Sequence, residues 1–216
     1  MIIENFKSRF QQMKNFGQHI QYVLDVGAYR GDFTETLFSV WPTAIIRQIE
    51  ADERQRPWLK EGAIYELLGD VDGLIIDFYT LPEDKITTGS SIYKELTAHY
   101  NNADTIVIKK RMTTIDMLDK KHNFYGDWRN HGLLKMDTQG SELLILNGAK
   151  TFLESKNPKW ILMECSVMQY NDDAPRILEV MNTLDKLNYG MADIFDLNYD
   201  SQGRLLQTDI LFERKT

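Results

Sequence analysis

The chain has 216 residues, 43% of them hydrophobic and 11% aromatic, proportions that suit one soluble α/β domain with a packed core and argue against disorder. Twenty-five basic against 32 acidic residues give a net charge of −7, a field that repels a phosphate backbone, so nucleic acid is not an expected partner. No apolar run approaches the roughly 20 residues that a membrane-spanning helix needs, so no membrane is expected either.

The opening Met1–Lys7 lacks the basic segment and apolar core of a secretory signal, and no lipid-anchoring signal is visible. The single cysteine, Cys165, excludes an internal disulfide, and a reducing cytoplasm is the expected home. Its position after Trp160-Ile161-Leu162-Met163-Glu164 reads as a buried strand end rather than an exposed thiolate. No motif points to a particular oligomeric state.

Ile3, Phe6, Phe10, Met13 and Phe16 recur at helical spacing and stop at Gly17, which predicts an amphipathic leading helix within residues 1–20, packed on the sheet or forming part of a lid, ahead of a core over residues 21–216. Tyr22 to Val26 is the first strand, Asp32 to Trp41 a helix closed by Pro42, and Ala44 to Ile49 a second strand ending at Glu50. A helix follows over Glu53 to Lys60, then a third strand over Ile64 to Leu68 with Gly69-Asp70 behind it. Leu74 to Tyr79 and Thr105 to Lys110 read as an inserted antiparallel pair, with the small polar loop Thr87-Thr88-Gly89-Ser90-Ser91 between them close to the ligand. Within the second run, Lys109-Lys110-Arg111 reads as a solvated strand edge.

Thr114 to Leu118 is a short helix and Lys120 to His131 a polar and aromatic connection. Alternation then resumes with strand Leu133 to Met136, helix Glu142 to Glu154, strand Trp160 to Met163, helix Ala174 to Leu187, and strands Gly190 to Asp196 and Asp209 to Glu213. Such alternation implies a mostly parallel sheet covered by helices on both faces.

The chemistry lies where strands end. Asp137-Thr138-Gln139-Gly140-Ser141-Glu142 follows one apolar strand, and Asp25-Val26-Gly27-Ala28-Tyr29-Arg30-Gly31 follows another; open α/β sheets bind ligands at such junctions. Gly27 and Gly31 bracket a turn that lets the backbone approach a ligand. Their Gly-x-x-x-Gly spacing lacks the third glycine of a dinucleotide fingerprint, and Asp32 directly behind would repel a pyrophosphate. Glu50 lies 25 positions after Asp25 at a second strand end, where an acidic side chain accepts both hydroxyls of a ribose. A glycine turn, an acidic second-strand end and no phosphate cradle point to S-adenosylmethionine.

These residues resemble the FkbM-type methyltransferases. The match runs through Asp25-Val26-Gly27-Ala28, Leu68-Gly69-Asp70, Gly89-Ser90-Ser91-Ile92-Tyr93 and Thr114-Ile115-Asp116-Met117-Leu118, and is strongest from Leu134 through Asp137-Thr138-Gln139-Gly140-Ser141-Glu142-Leu143 to Asn147-Gly148-Ala149. The resemblance implies a class I, Rossmann-like α/β fold with a seven-stranded, mostly parallel sheet, and methyl transfer to a hydroxyl of a sugar or other small metabolite. Three positions depart from the family pattern: Tyr29 in place of a frequent asparagine, Ala51 in place of a proline, and Gln139 in place of a common glutamate.

The donor is accordingly assigned to Asp25, Gly27, Ala28, Tyr29, Gly31 and Glu50, with Asp25 either fixing the loop or meeting the methionine amine and Glu50 holding the ribose. Asp70 either sits near the adenine edge or serves its own turn, and Ser90 and Ser91, with Tyr93, form a loop that the resemblance places over the cofactor. Asp137 either caps the next helix or orients the acceptor, takes its proton or binds a cation. Glu164 is the second catalytic candidate, because a carboxylate ending an apolar strand needs a partner or a ligand. Together these two acids present hard oxygen ligands suited to magnesium or manganese, though two acids alone do not define a metal site. Glu142 reads as a complement to its helix dipole. His19, His99, His122 and His131 show no zinc spacing. The competing functions are a nicotinamide-dependent oxidoreductase and a non-catalytic S-adenosylmethionine-binding module, the latter suggested by Gln139.

Overall fold

Tyr22–Val26 forms β1, buried from Val23 onward, in a computed structural model that describes residues 2–82, 85, 87–96, 100 and 104–216. Burial on both faces is what makes its sequence almost continuously apolar. Parallel neighbours flank it, β2 (Ile45–Ile49) on one side and β6 (Gly132–Met136) on the other, and β7 (Trp160–Ser166) continues parallel beyond β6. The long antiparallel pair β8 (Tyr189–Tyr199) and β9 (Leu205–Arg214) completes the order β2-β1-β6-β7-β9-β8, with β9 inserted between β7 and β8.

This sheet has six strands, not the seven that the resemblance implies. The difference lies at the expected third strand. Ile64 makes a single bridge to Ile49, after which the chain leaves the sheet edge, and β3 shrinks to Leu67–Leu68, paired with Met112 and Thr113 of β5 (Ile106–Thr113). Apolar burial holds it there: Leu67 packs with Phe78, Ile92 and Met112 in a cluster of its own. The antiparallel partner of β5 is β4 (Ile75–Thr80), as the sequence predicts. On β5, Lys109 pairs with Asp77 at 2.6 Å and is exposed, but β5 is the middle strand of the order β3-β5-β4 rather than an edge, and Lys110 Nζ donates to the Ala51 carbonyl oxygen at 2.6 Å.

Alternation along the strands builds two cores. Val23, Leu133 and Leu162 face α1 (Ile2–Asn15) and α2 (Asp32–Val40), where Phe10 contacts Phe33, Trp41 and Phe195 edge-on. Leu24, Leu134 and Ile161 face the opposite layer of α3 (Ile115–His122), α5 (Glu142–Asn147), α6 (Lys150–Ser155) and α7 (Ile177–Lys186), with Trp128 of the short α4 (Trp128–His131) at its edge. The leading helix ends as predicted, with Gly17 at φ 78°.

Two predicted helices differ from expectation. Glu53–Trp58 is a 3₁₀ turn, since Pro57 has no N–H to give an α-helix and Asp52 caps the turn by accepting from Arg54 N at 3.1 Å. The helix expected over Glu142 to Glu154 is broken into α5 and α6 at Gly148. A Cβ there would lie 2.0 Å from the Gly69 carbonyl oxygen, and the Asp116 carboxylate caps the new start by accepting from Thr151 N and Phe152 N at 2.9 and 2.8 Å.

Candidate active site

Parallel register sets Asp25 opposite Lys135 on β6 and Gln48 on β2, so the three side chains form a polar row inside the sheet. Asp25 is 0% exposed and Lys135 6%. Their ion pair is 3.1 Å long, Thr34 Oγ1 donates to Asp25 Oδ2 at 2.9 Å, and Lys135 Nζ also donates to the Gly27 carbonyl oxygen at 2.9 Å. Burial pulls the Lys135 pKa down, but the carboxylates of Asp25 and Asp137 outweigh it and the net shift is upward. The pair therefore ties the loop after β1 to the sheet from below, and Asp25 does not line a cavity.

Above the row the loop turns at Gly27, with φ 72°, and a Cβ there would lie 1.9 Å from the Asp137 carbonyl oxygen. Tyr29 is also left-handed, at φ 47°, and its N–H donates to Glu50 Oε2 at 2.7 Å. Glu50 Oε1 accepts from Asp52 N at 2.7 Å. Burial raises the Glu50 pKa, opposed by these two backbone donors. Gly31, at φ 84°, caps α2 behind the loop.

The carboxyl ends of β1, β2, β6 and β7 open into two adjoining cavities of about 400 and 410 Å³, at the point where the strand order reverses. The first is walled by Gly27, Glu50, Leu68, Ser90, Ser91 and Ile145. Ser91 Oγ donates to the Gln139 carbonyl oxygen at 2.9 Å, which closes the Thr87–Ser91 loop onto the Asp137 loop, while Ser90 Oγ contacts Thr80 Oγ1 at 2.7 Å. The second is walled by Phe6, Ala28, Phe33, Lys135, Asp196 and Asp209. Phe6 makes the leading helix part of this wall.

Gly27, Tyr29, Thr88, Asp137, Glu164 and Gln207 border both cavities. The Asp137 side chain is 40% exposed there. The Gln139 amide joins the two acids, donating to Asp137 Oδ1 at 3.1 Å and to Glu164 Oε2 at 2.8 Å, and Gln207 donates to the same Glu164 oxygen at 3.1 Å. Burial raises the Glu164 pKa well above the usual range, and Asp137, Asp209 and Glu142 add to it. Glu142 itself accepts from Thr138 N at 2.7 Å and Thr138 Oγ1 at 3.0 Å, fixing the loop at its helix start rather than facing a cavity.

A family model described as the methyltransferase FkbM domain matches residues 25–191. The chain belongs to the FkbM methyltransferase family. The FkbM methyltransferase of Methylobacillus flagellatus KT superimposes with a TM-score of 0.51 at 16% identity, over 89% of this chain and 43% of that one. The chain thus spans less than half the length of that relative, and the likeness shows the class I methyltransferase fold, here with six strands. Magnesium protoporphyrin IX methyltransferase from Synechocystis PCC 6803, solved with bound S-adenosylmethionine, gives a TM-score of 0.46 at 10% identity over 99% of this chain and 79% of its own. The 1,6-didemethyltoxoflavin-N1-methyltransferase of Burkholderia thailandensis gives 0.45 at 10% identity over 100% and 79%. Among curated proteins no sequence match is found.

In this FkbM family member the departures from the family pattern have visible consequences. Tyr29 occupies a left-handed conformation that asparagine adopts more readily. Gln139 supplies an N–H to two carboxylates where a glutamate would add a third negative charge. A divalent ion does not fit this donor set: an amide hydrogen lies between Asp137 and Glu164, and among the described residues no three His, Cys, Asp or Glu side chains converge to hold a metal. Asp70 is exposed and off both cavities, and the acid on the wall at that level is Glu66. His131 Nδ1 contacts the His19 carbonyl oxygen at 3.1 Å and His122 stacks on Phe124, all away from the cavities; His99 lies outside the described residues.

Sequence reading missed Lys135, Gln207 and Asp209. Lys135 is the one charge in an otherwise apolar strand, and that is the available signal, since burial demands a partner; Gln207 and Asp209 lie in a strand of mixed polarity that gives no such signal. Cys165 is buried, as predicted, with its thiol pKa pushed well up by burial. Among the described residues no helix is long and apolar enough to cross a membrane.

Proposed function

We propose that this FkbM family member is an S-adenosylmethionine-dependent methyltransferase acting on a hydroxyl of a sugar or other small metabolite. The observation that carries this reading is the pair of cavities meeting at Asp137 and Glu164: one space for a donor, one for an acceptor, and carboxylates at the join. The donor fits the first cavity by its chemistry. Glu50 spends one lone pair of each oxygen on backbone N–H groups and keeps others for a ribose diol, and the Cβ-free surface at Gly27 admits close approach. When bound, S-adenosylmethionine supplies an electrophilic methyl group on a cationic sulfonium. Asp137 complements positive charge at the join and orients the acceptor hydroxyl, with Glu164 beside it, since transfer depends on holding the reacting atoms in line. Ala28 and Tyr29 complete the loop wall, and Gly31 sets its turn. A net charge of −7 and an acid-rich second cavity support a small neutral or cationic acceptor over nucleic acid. The single buried cysteine is compatible with a reducing compartment.

Calorimetric titration with S-adenosylmethionine and with NAD separates this function from an oxidoreductase: saturable binding of the first and none of the second is expected. Release of S-adenosylhomocysteine with a panel of polyols and phenols separates it from a non-catalytic binding module. Asp137→Asn is expected to lower turnover by about 100-fold or more while donor affinity changes less than about 2-fold. Equal losses in both would make Asp137 a donor-holding residue instead. Glu50→Ala is expected to weaken donor binding about 10- to 100-fold, as loss of charge-assisted hydrogen bonds does, and unchanged affinity would remove Glu50 from the donor site.

A further inference from the structure

We propose that Asp209 on β9 is the general base that takes the proton of the acceptor hydroxyl, a role that rests on the methyltransferase reading above. Three observations converge on it. Asp209 borders the second cavity together with Lys135, Asp137 and Glu164. It is the register partner of Glu164 across the β7–β9 pair and stands two residues from Gln207, so all three side chains emerge on one face of the sheet. The neighbouring acids each already hold amide donors: Asp137 Oδ1 accepts from Gln139, with its Oδ2 3.9 Å from Lys135 Nζ, and Glu164 Oε2 accepts from both Gln139 and Gln207. Among the described residues the half-buried Asp209 carboxylate has no hydrogen bond or ion pair, which leaves its oxygens for a ligand.

The electrostatic setting suits the task. Asp209 shares its cavity with Glu164 from β7, Lys135 and Asp137 from β6 and its end, Asp196 from β8, and Arg30 and Asp32 from the loop after β1 and the start of α2, and the charge of Glu142 on α5 reaches it from outside the cavity. Burial first, then Asp137, Asp196 and Glu142, raise its pKa to about 7, with Lys135 opposing. Burial and the acids around it raise the Glu164 pKa as well. A base with a pKa near the working pH combines the correct ionic form with adequate driving force. As the acceptor oxygen forms its bond to the methyl carbon, the carbon–sulfur bond breaks with its electron pair passing to sulfur, and the hydroxyl proton passes to Asp209. The charge lost from the sulfonium is balanced by the proton gained on the carboxylate.

Two measurements test the assignment with the full chain. Infrared titration of the ligand-free protein should show a carboxyl ionising at about 7, absent in Asp209→Asn. Persistence of that ionisation in the variant overturns the assignment. With S-adenosylmethionine and the polyol and phenol panel as probes, the wild-type rate should rise with pH through the same range. Asp209→Asn should flatten that limb and lower kcat by about 10²- to 10⁴-fold, with the donor KM within about 2-fold. A variant that keeps both the wild-type limb and rate overturns the role of Asp209 alone, whereas a wild-type protein that releases no S-adenosylhomocysteine overturns the methyltransferase reading and this role with it. Folding is not expected to fail. A carboxyl whose folded pKa is raised costs stability as pH climbs from the unfolded value through the folded one, so Asp209→Asn should melt above wild type at pH 8 and lose that advantage toward pH 4.

Discussion

Gly27→Ala is expected to destabilise the protein by about 3 kcal/mol or more and to weaken S-adenosylmethionine binding by at least about 100-fold. Two costs add. The backbone at Gly27 has φ 72°, and an alanine held in the left-handed region costs about 1–2 kcal/mol. The new methyl would then lie 1.9 Å from the Asp137 carbonyl oxygen, forcing apart the ends of β1 and β6 at the join between the two cavities. Urea denaturation and calorimetric titration measure the two losses. Gly62→Ala is the control: at φ 87° it carries the backbone strain, but no atom lies within 4 Å of its Cβ, so only about 1 kcal/mol should be lost and donor affinity should stay the same. If Gly27→Ala behaved like Gly62→Ala, close approach would not be what this glycine provides.

Lys135→Met is expected to cost about 3–5 kcal/mol, because it leaves the fully buried Asp25 carboxylate without its cation. Methionine keeps the volume of the lysine stem, so the loss reports charge rather than a cavity. The Gly27 carbonyl also loses its 2.9 Å donor, and the donor loop loosens with it. The double variant Asp25→Asn/Lys135→Met should recover at least about 1 kcal/mol relative to Lys135→Met alone, since the uncompensated charge is gone. A single-variant loss under about 1 kcal/mol would mean that desolvation nearly cancels the attraction in the native pair. The folded pKa of Lys135 lies above that of an unfolded lysine. Its stabilisation is therefore complete below the unfolded value and fades only as pH rises through the folded one. The penalty should be flat across neutral pH.

Much of the scaffold was legible because its signals are local. β1 spans Tyr22–Val26 as predicted, since a strand buried on both faces writes an unbroken apolar run that Gly27 ends. The leading helix stops at Gly17 and the β4–β5 pair is antiparallel for equally local reasons. The helix broken at Gly148 was not legible. Its periodicity continues from Glu142 to Glu154, and only the approach of Gly69 and the cap from Asp116 interrupt it. The lost sheet strand has a similar origin: Ile64 to Leu68 reads as a strand, but packing of Leu67 against Phe78 and Met112 decides which sheet receives it. Among the acids, Glu50, Asp137 and Glu164 were readable as strand ends on a cavity, whereas Asp70 proved exposed and Glu66 took the wall.

What the sequence by itself determined is which residues end strands and begin helices: Gly27, Glu50 and Asp137 stand at such junctions because glycine turns, apolar runs and helix starts are properties of neighbouring residues. Only the tertiary structure decided which side chains confront one another. Asp25 beside Lys135, Glu164 opposite Asp209, and Gln139 between two carboxylates all follow from strand register and order. Register is set by long-range burial of whole strand faces, and a shift of one residue would turn each of these groups to the opposite side of the sheet.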